Sequence, residues 1–287
     1  MYKPYNLLVD EDKVNIVDEF KNGTAVSEIP KKLNISQRAV SRVLKDENIN
    51  TKRRNNYTLN EFYFNNIDSQ EKAYILGFLY ADGYVGSEKA NNIVILVAEQ
   101  DIDLLQQIAK SIEFTGILRK RNHSVGKSYQ TSQNHFILNF SSKQIANDLR
   151  NLGFNKIKKD REFQIPNIDK KLVRHFIRGF FDGDGSFSVN RNQRIHTLND
   201  GNKKVYKYDK PCFSILGPTY FVNELAEILP GRYYIGKSHT EGLSYINNSS
   251  RRDISDIYEY LYTDSTIHIK RKHDKILEFM EHLTRNC

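Results

Sequence analysis

The sequence predicts an α+β protein. A small three-helix module comes first. Two halves follow, each running helix, strand, strand, helix, strand, strand, helix. Two observations carry this. Apolar residues recur at helical spacing through residues 11–49, and the rest of the chain repeats itself. The repeat is anchored by AYILGFLYADG (73–83) against RHFIRGFFDGDG (174–185). Gly77 aligns with Gly179, Asp82 with Asp184 and Gly83 with Gly185. The expected boundaries are residues 1–56, 57–172 and 173–287.

In the module, the first helix is expected over Glu11–Asn22, with Val14, Ile16, Val17 and Phe20 on its apolar side. Gly23 stops it. The second covers about Ala25–Leu33, with Val26, Ile29 and Leu33 in register, and Pro30 shortens or bends it. After the turn Asn34-Ile35-Ser36, Ser36 is a good N-cap because its hydroxyl accepts from free N–H groups of the next turn. The third helix, Gln37–Glu47, buries Val40, Val43 and Leu44. Its outer face shows Gln37, Arg38, Ser41, Arg42 and Lys45. A helix, tight turn and helix with polar and basic outward residues is the geometry of DNA readers. Gln, Arg and Ser reach base edges, while Arg and Lys meet phosphates. The stretch GTAVSEIPKKLNISQRAVSRVLKDENI resembles resolvase-like or homeodomain-like helix-turn-helix segments. Residues 50–60 read as a linker, and Lys52, Arg53 and Arg54 form either a basic arm along a groove or a solvated run.

Composition narrows the rest. Hydrophobic residues make up 39% of the 287 and charged residues 27%, enough apolar material for a core, which excludes wholesale disorder. No apolar run approaches the ~18–20 residues of a membrane span. Met1–Asp12 is mixed polar and acidic, unlike a signal peptide. Cys212 and Cys287 are the only cysteines, too few for a zinc ribbon, a redox CxxC or a disulfide framework. A soluble, intracellular protein without a membrane partner is expected. The net charge of +8 favours a polyanion only weakly. It divides as +3, +2 and +3 over the three segments, so nucleic-acid binding would come from arranged surfaces rather than a tail.

In the repeat, Ala73, Gly77 and Ala81 fall at i, i+4, i+8, a stripe of small residues, and Gly179 and Gly183 extend it in the second copy. Small residues let two helices approach closely along this stripe. Their C-terminal ends then lie side by side and carry Asp82 and Asp184. A carboxylate there faces the negative end of the helix dipole, and two together repel. A divalent cation relieves that repulsion, and hard oxygen ligands suit Mg²⁺. A calcium loop is excluded at Asp182-Gly-Asp184-Gly, because no Glu closes a twelve-residue loop.

The pair LGFLYADG (76–83) and IRGFFDGDG (177–185) resembles the LAGLIDADG homing endonucleases over about residues 70–287. The resemblance implies a single-chain, monomeric pseudo-dimer of two αββαββα halves whose antiparallel sheets form a saddle over DNA. It implies that Asp82 and Asp184 bind the catalytic metal, with the backbones of Ala81 and Gly183 assisting. It also implies one basic catalytic residue per half, after the last helix of the fold. Lys158 and Lys270 are favoured, with Lys159 and Lys272 as neighbours. The first copy departs at Tyr80, where the second has Asp182, a position that is not the metal ligand.

The implied activity is a metal-dependent double-strand cut in a long, specific DNA target. Two or more Mg²⁺ ions serve it, and Mn²⁺ or Ca²⁺ substitute for binding. Hydrolysis needs an activated water and relief of charge on the phosphate, which metals between two carboxylates supply. Sequence readout is expected from strands: Arg119 and Arg121 on one face with His123, Tyr129, Gln130, Gln133 and His135 nearby. The second copy offers Ser188, Asn190, Arg194, Lys207, Tyr233, Lys237 and His239. Lys143 and Arg252 align at helix starts as phosphate contacts or solvated residues. The eight histidines show no metal spacing. The expected setting is the nucleoid of a bacterium or phage-infected cell, or an organelle, with homing of an intron or intein. The alternatives on the same scaffold are a transcriptional regulator and a maturase that binds intron RNA.

Overall fold

The computed structural model describes residues 2–22, 24, 26–49, 57–121, 134–154 and 163–285, with side chains to 282. Contacts divide the chain into two units, Met1–Asn56 and Tyr57–Cys287. The expected sites Lys52, Arg53, Arg54, His123, Tyr129, Gln130, Gln133, Lys158 and Lys159 lie outside the described residues.

The first unit contains α1 (Asp10–Lys21), α2 (Ile29–Leu33) and α3 (Gln37–Asp46). Ile16, Ile29, Ile35, Ala39, Val40, Val43 and Leu44 form its core. Two expectations are corrected. α2 begins at Ile29 rather than near residue 25, because Pro30 lacks an N–H and is tolerated only in a first turn. Val14 is 56% exposed, since Ile16, two residues on, takes the inward side. Ser36 caps α3 by accepting from the Ala39 amide at 3.3 Å. Asn34 closes α2 in the left-handed conformation, with φ 53°.

In the second unit, the first half runs α4 (Gln70–Asp82), β1 (Gly83–Val85), β2 (Asn92–Ala98), α5 (Ile102–Ser111), β3 (Arg119–Arg121), β4 (His135–Ser141) and α6 (Lys143–Asn151). The second half runs α7 (Lys170–Asp184), β5 (Gly185–Thr197), β6 (Lys203–Pro218), α8 (Thr219–Ile228), β7 (Tyr234–Lys237), β8 (Leu243–Asn248) and α9 (Arg251–Tyr262). The expected order of elements is present in both. A further helix, α10 (Lys270–Arg285), follows the second half and was not expected.

The two four-stranded sheets are antiparallel and share one order, β1-β2-β4-β3 and β5-β6-β8-β7. Each motif glycine opens the first strand of its sheet, Gly83 opposite Ile95 and Gly185 opposite Ile215. One apolar core spans both halves. α4 is buried continuously from Ala73 to Ala81, as a helix apolar on all sides must be. The sheets meet this core through alternate residues: Ile93, Ile95, Val97, Leu138 and Phe140 in one, Phe187, Phe213, Ile215 and Ile246 in the other. No described helix is long and apolar enough to cross a membrane.

Candidate active site at the paired helix ends

α4 and α7 approach as closely as backbones allow. A Cβ on Gly77 would fall 1.9 Å from the Phe176 carbonyl oxygen, and one on Gly179 would fall 2.0 Å from that of Tyr74. These two contacts exchange under a shift of 102 residues, which is the signature of a local two-fold axis. Nearer the C-terminal ends, a Cβ on Gly183 would lie 2.3 Å from the Ala81 Cβ and 3.2 Å from the Asp82 Oδ2. The stripe of small residues therefore does what its spacing predicts. It brings together the helix ends that carry Asp82 and Asp184, with Ala81 and Gly183 against each other between them. Asp82 is exposed and Asp184 half-buried.

The end of α7 carries its own counter-charge. Lys272, buried at 8% exposure, donates through Nζ to the carbonyls of Phe181 (2.9 Å), Asp182 (2.6 Å), Gly183 (3.3 Å) and Gly185 (2.6 Å). The carbonyls of Asp182 and Gly183 belong to the last turn of α7, where a helix lacks its own donors. Burial pushes the Lys272 ammonium down to about 8, opposed by the charges of Asp182 and Asp82. Lys270, the favoured sequence candidate, is exposed at the start of α10. It is Lys272, named only as a neighbour, whose ammonium reaches the motif. Nothing in the run Lys270-Arg271-Lys272 marks which residue turns inward. Arg271 instead forms a bidentate pair with the buried Asp101 of the first half, at 2.8–3.1 Å. Sequence reasoning missed this pair, whose partners lie 170 residues apart.

Asp182 is 1% exposed. It accepts from the Tyr74 hydroxyl (2.7 Å), the Tyr262 hydroxyl (3.0 Å) and the Ile269 amide (2.6 Å). Burial raises its pKa, while these donors and Lys272 pull it down. One turn earlier, the fully buried Arg178 donates to the carbonyls of Ile267 and Leu261 and to Nδ1 of His175.

The candidate DNA residues sort by strand face. Arg119 and Arg121 pair with Ile137 and His135, on the face opposite the buried Leu138 and Phe140. In the ribbon β5–β6, Ser188, Asn190 and Arg194 share the corresponding face with Cys212, Lys210 and Tyr206. Lys207 and Lys237 do not. Lys207 pairs with Gln193 and Lys237 with Ser244, both on the face of Phe187 and Ile246. One residue of offset reverses the face of a strand side chain, so a single groove-facing set of these residues is not supported. Tyr233 precedes β7, and its hydroxyl donates to the Pro230 carbonyl. His239 is exposed beyond β7. Lys143 and Arg252 are exposed in the first turns of α6 and α9, each after a capping serine. In the first unit, Gln37, Arg38, Ser41, Arg42 and Lys45 are all exposed on α3, with Arg42 stacked 4.2 Å over the Tyr5 ring.

No family model matches the chain. A curated relative, the uncharacterized protein MJ0314 of Methanocaldococcus jannaschii, is 24% identical over 171 residues, and the match spans 59% of either chain. Among solved structures, the homing endonuclease I-LtrWI bound to target DNA matches with a TM-score of 0.52 at 13% identity. It covers 79% of this chain and 92% of that one. The meganuclease I-SmaMI bound to uncleaveable DNA matches with a TM-score of 0.50 at 13% identity, covering 75% and 90%. With two motif helices packed about a local two-fold and two sheets of one strand order, this chain has the fold of the LAGLIDADG homing endonucleases.

Proposed function

We propose that the chain is a site-specific DNA endonuclease that cuts both strands of a long duplex target. One observation carries the reading: Asp82 and Asp184 end two helices that pack through glycine, next to a local two-fold axis. Folding alone does not favour two carboxylates at the negative ends of two helix dipoles. Their solved structural neighbours I-LtrWI and I-SmaMI are both bound to DNA.

The donor set fits a divalent cation such as Mg²⁺, with Mn²⁺ or Ca²⁺ able to replace it for binding. Carboxylates and backbone carbonyls are hard oxygen ligands. Among the described residues no group of three or more His, Cys, Asp or Glu gathers at one point, so Asp82 and Asp184 would share such an ion with backbone, water and phosphate. When bound, the ion activates water and offsets charge on the phosphate. The chain's own residues do the rest. Lys272 neutralises the end of α7. Lys270, and Lys158 in the first half, supply positive charge beside the scissile phosphates. The outer sheet faces, with Arg119, Arg121, Asn190 and Arg194, lie along the grooves. The module of α1–α3 adds contacts through Gln37, Arg38, Ser41, Arg42 and Lys45 as a helix-turn-helix. Because one chain contains both halves, a monomer suffices.

The test is cleavage, in Mg²⁺, of a plasmid library carrying randomised sites. Wild type should linearise a subset of it. Asp82→Asn with Asp184→Asn should lower the rate by about 10³-fold or more while duplex binding persists. Cutting that survives the double substitution would sink the assignment.

A further inference from the structure

The geometry points to Asp182 as a positioning residue that sets the Asp184 side of the proposed catalytic site separately from the Asp82 side. This rests on the endonuclease reading. Its carboxylate ties three parts of the unit together: α4 through Tyr74, α9 through Tyr262, and the segment before α10 through the Ile269 amide. Three residues after Ile269, Lys272 enters the end of α7 and donates to four carbonyls around Asp184. Asp182 therefore fixes where Lys272 begins, and Lys272 fixes the last turn that presents Asp184. A carboxylate suits the task because it accepts several hydrogen bonds and donates none.

The first half solves the same problem with other chemistry. Its equivalent residue is Tyr80, whose hydroxyl donates to the Leu152 carbonyl at 2.5 Å. The Tyr80 ring packs against Phe154, Phe163 and Phe176, with centroids 5.1–5.6 Å away. Nothing in that contact set leads through Asp182. A change at Asp182 should therefore disturb Asp184 before Asp82.

The experiment uses the full chain and a duplex selected by wild type from a randomised library, with each strand carrying its own end label, in Mg²⁺. Asp182→Asn keeps the volume and places an NH₂ donor against donors. It should slow cleavage of one strand at least about tenfold more than the other, so that nicked duplex accumulates, since small misplacements cost up to about 100-fold. Duplex affinity should stay within about twofold of wild type, because the carboxylate is 1% exposed and cannot touch a ligand directly. Equal slowing of both strands, or no slowing, overturns the proposal. If Asp182→Asn does not fold, Tyr262→Phe removes a single donor and should show the same strand bias at about threefold. Equal strand rates in that variant overturn it as well. A wild-type chain that cuts neither strand refutes the endonuclease reading instead, a separate outcome.

Discussion

The two halves share an order of elements and an order of strands, yet they hold their motif helices by different means. In α4 the buried positions are apolar or aromatic, from Ala73 through Leu76 to Tyr80. At the equivalent places α7 carries His175, Arg178 and Asp182, all buried, with Arg178 hydrogen-bonded to His175 and Asp182 to Tyr74 and Tyr262. The sheets differ too. β1 is three residues long, whereas β5 has 13 and pairs with a β6 of 16, so the second ribbon runs far past the core. The comparison separates what symmetry requires from what it leaves open. Both copies keep the small-residue stripe and the terminal aspartate, because these meet at the axis. The positions beside the stripe accept either an aromatic or an ionic solution.

The largest effect should fall where the halves agree. Gly77→Ala and Gly179→Ala each push a methyl into the other helix's backbone, and each should cost about 3 kcal/mol or more in chemical denaturation. Costs that differ by more than about 1 kcal/mol would break the two-fold description.

A smaller effect should distinguish the halves by pH. Burial, reinforced by the charges of Arg178 and Arg174, lowers His175 to about 4 from its ordinary value of 6.5. Between those values the unfolded chain takes up a proton that the fold refuses. The contribution is complete above pH 6.5 and is lost as pH falls toward 4, by about 2.5 kcal/mol at pH 4.5. Denaturation at pH 7 and pH 4.5 should show this loss in wild type and a reduced loss in His175→Asn. An unchanged pH profile would mean the second half's polar network does not resist protonation.

The smallest effect concerns the ribbon. Arg194→Ala, on the face shared with Asn190 and Lys210, should weaken target binding by about 1 kcal/mol or more. Lys207→Ala, on the opposite face, should change it by less than about 0.5 kcal/mol. Equal losses in a binding titration would show that the tip of the ribbon presents both faces to DNA.

Much of the fold was legible. The α3 cap at Ser36, the repeat and the meeting of the two motif ends all rest on local patterns: a hydroxyl before an apolar run, and glycines at i, i+4 spacing. Element order followed for the same reason. Other features were not legible. The run Lys270-Arg271-Lys272 holds one exposed lysine, one arginine paired across the halves and one buried lysine. Their order in the chain says nothing of that, because the partners of Lys272 and Arg271 lie 87 to 170 residues away. That Lys207 lies on the ribbon face opposite Arg194 was not legible for a related reason. Strand parity is unforgiving, and register is set by pairing partners rather than by composition.

Helix periodicity, which fixes which side chains share a face, was enough to foresee two helices packed through small residues with two aspartates at their ends. Composition was enough for a basic chain without metal-binding cysteines. It took the folded contacts to show that Lys272 supplies the counter-charge at the end of α7, that the Asp182 carboxylate accepts from the Ile269 amide just before it, and that Arg194 and Lys207 lie on opposite faces of a ribbon. Those are long-range pairings of charged and polar groups. Burial selects one partner among many chemically equal candidates, and burial belongs to the fold as a whole.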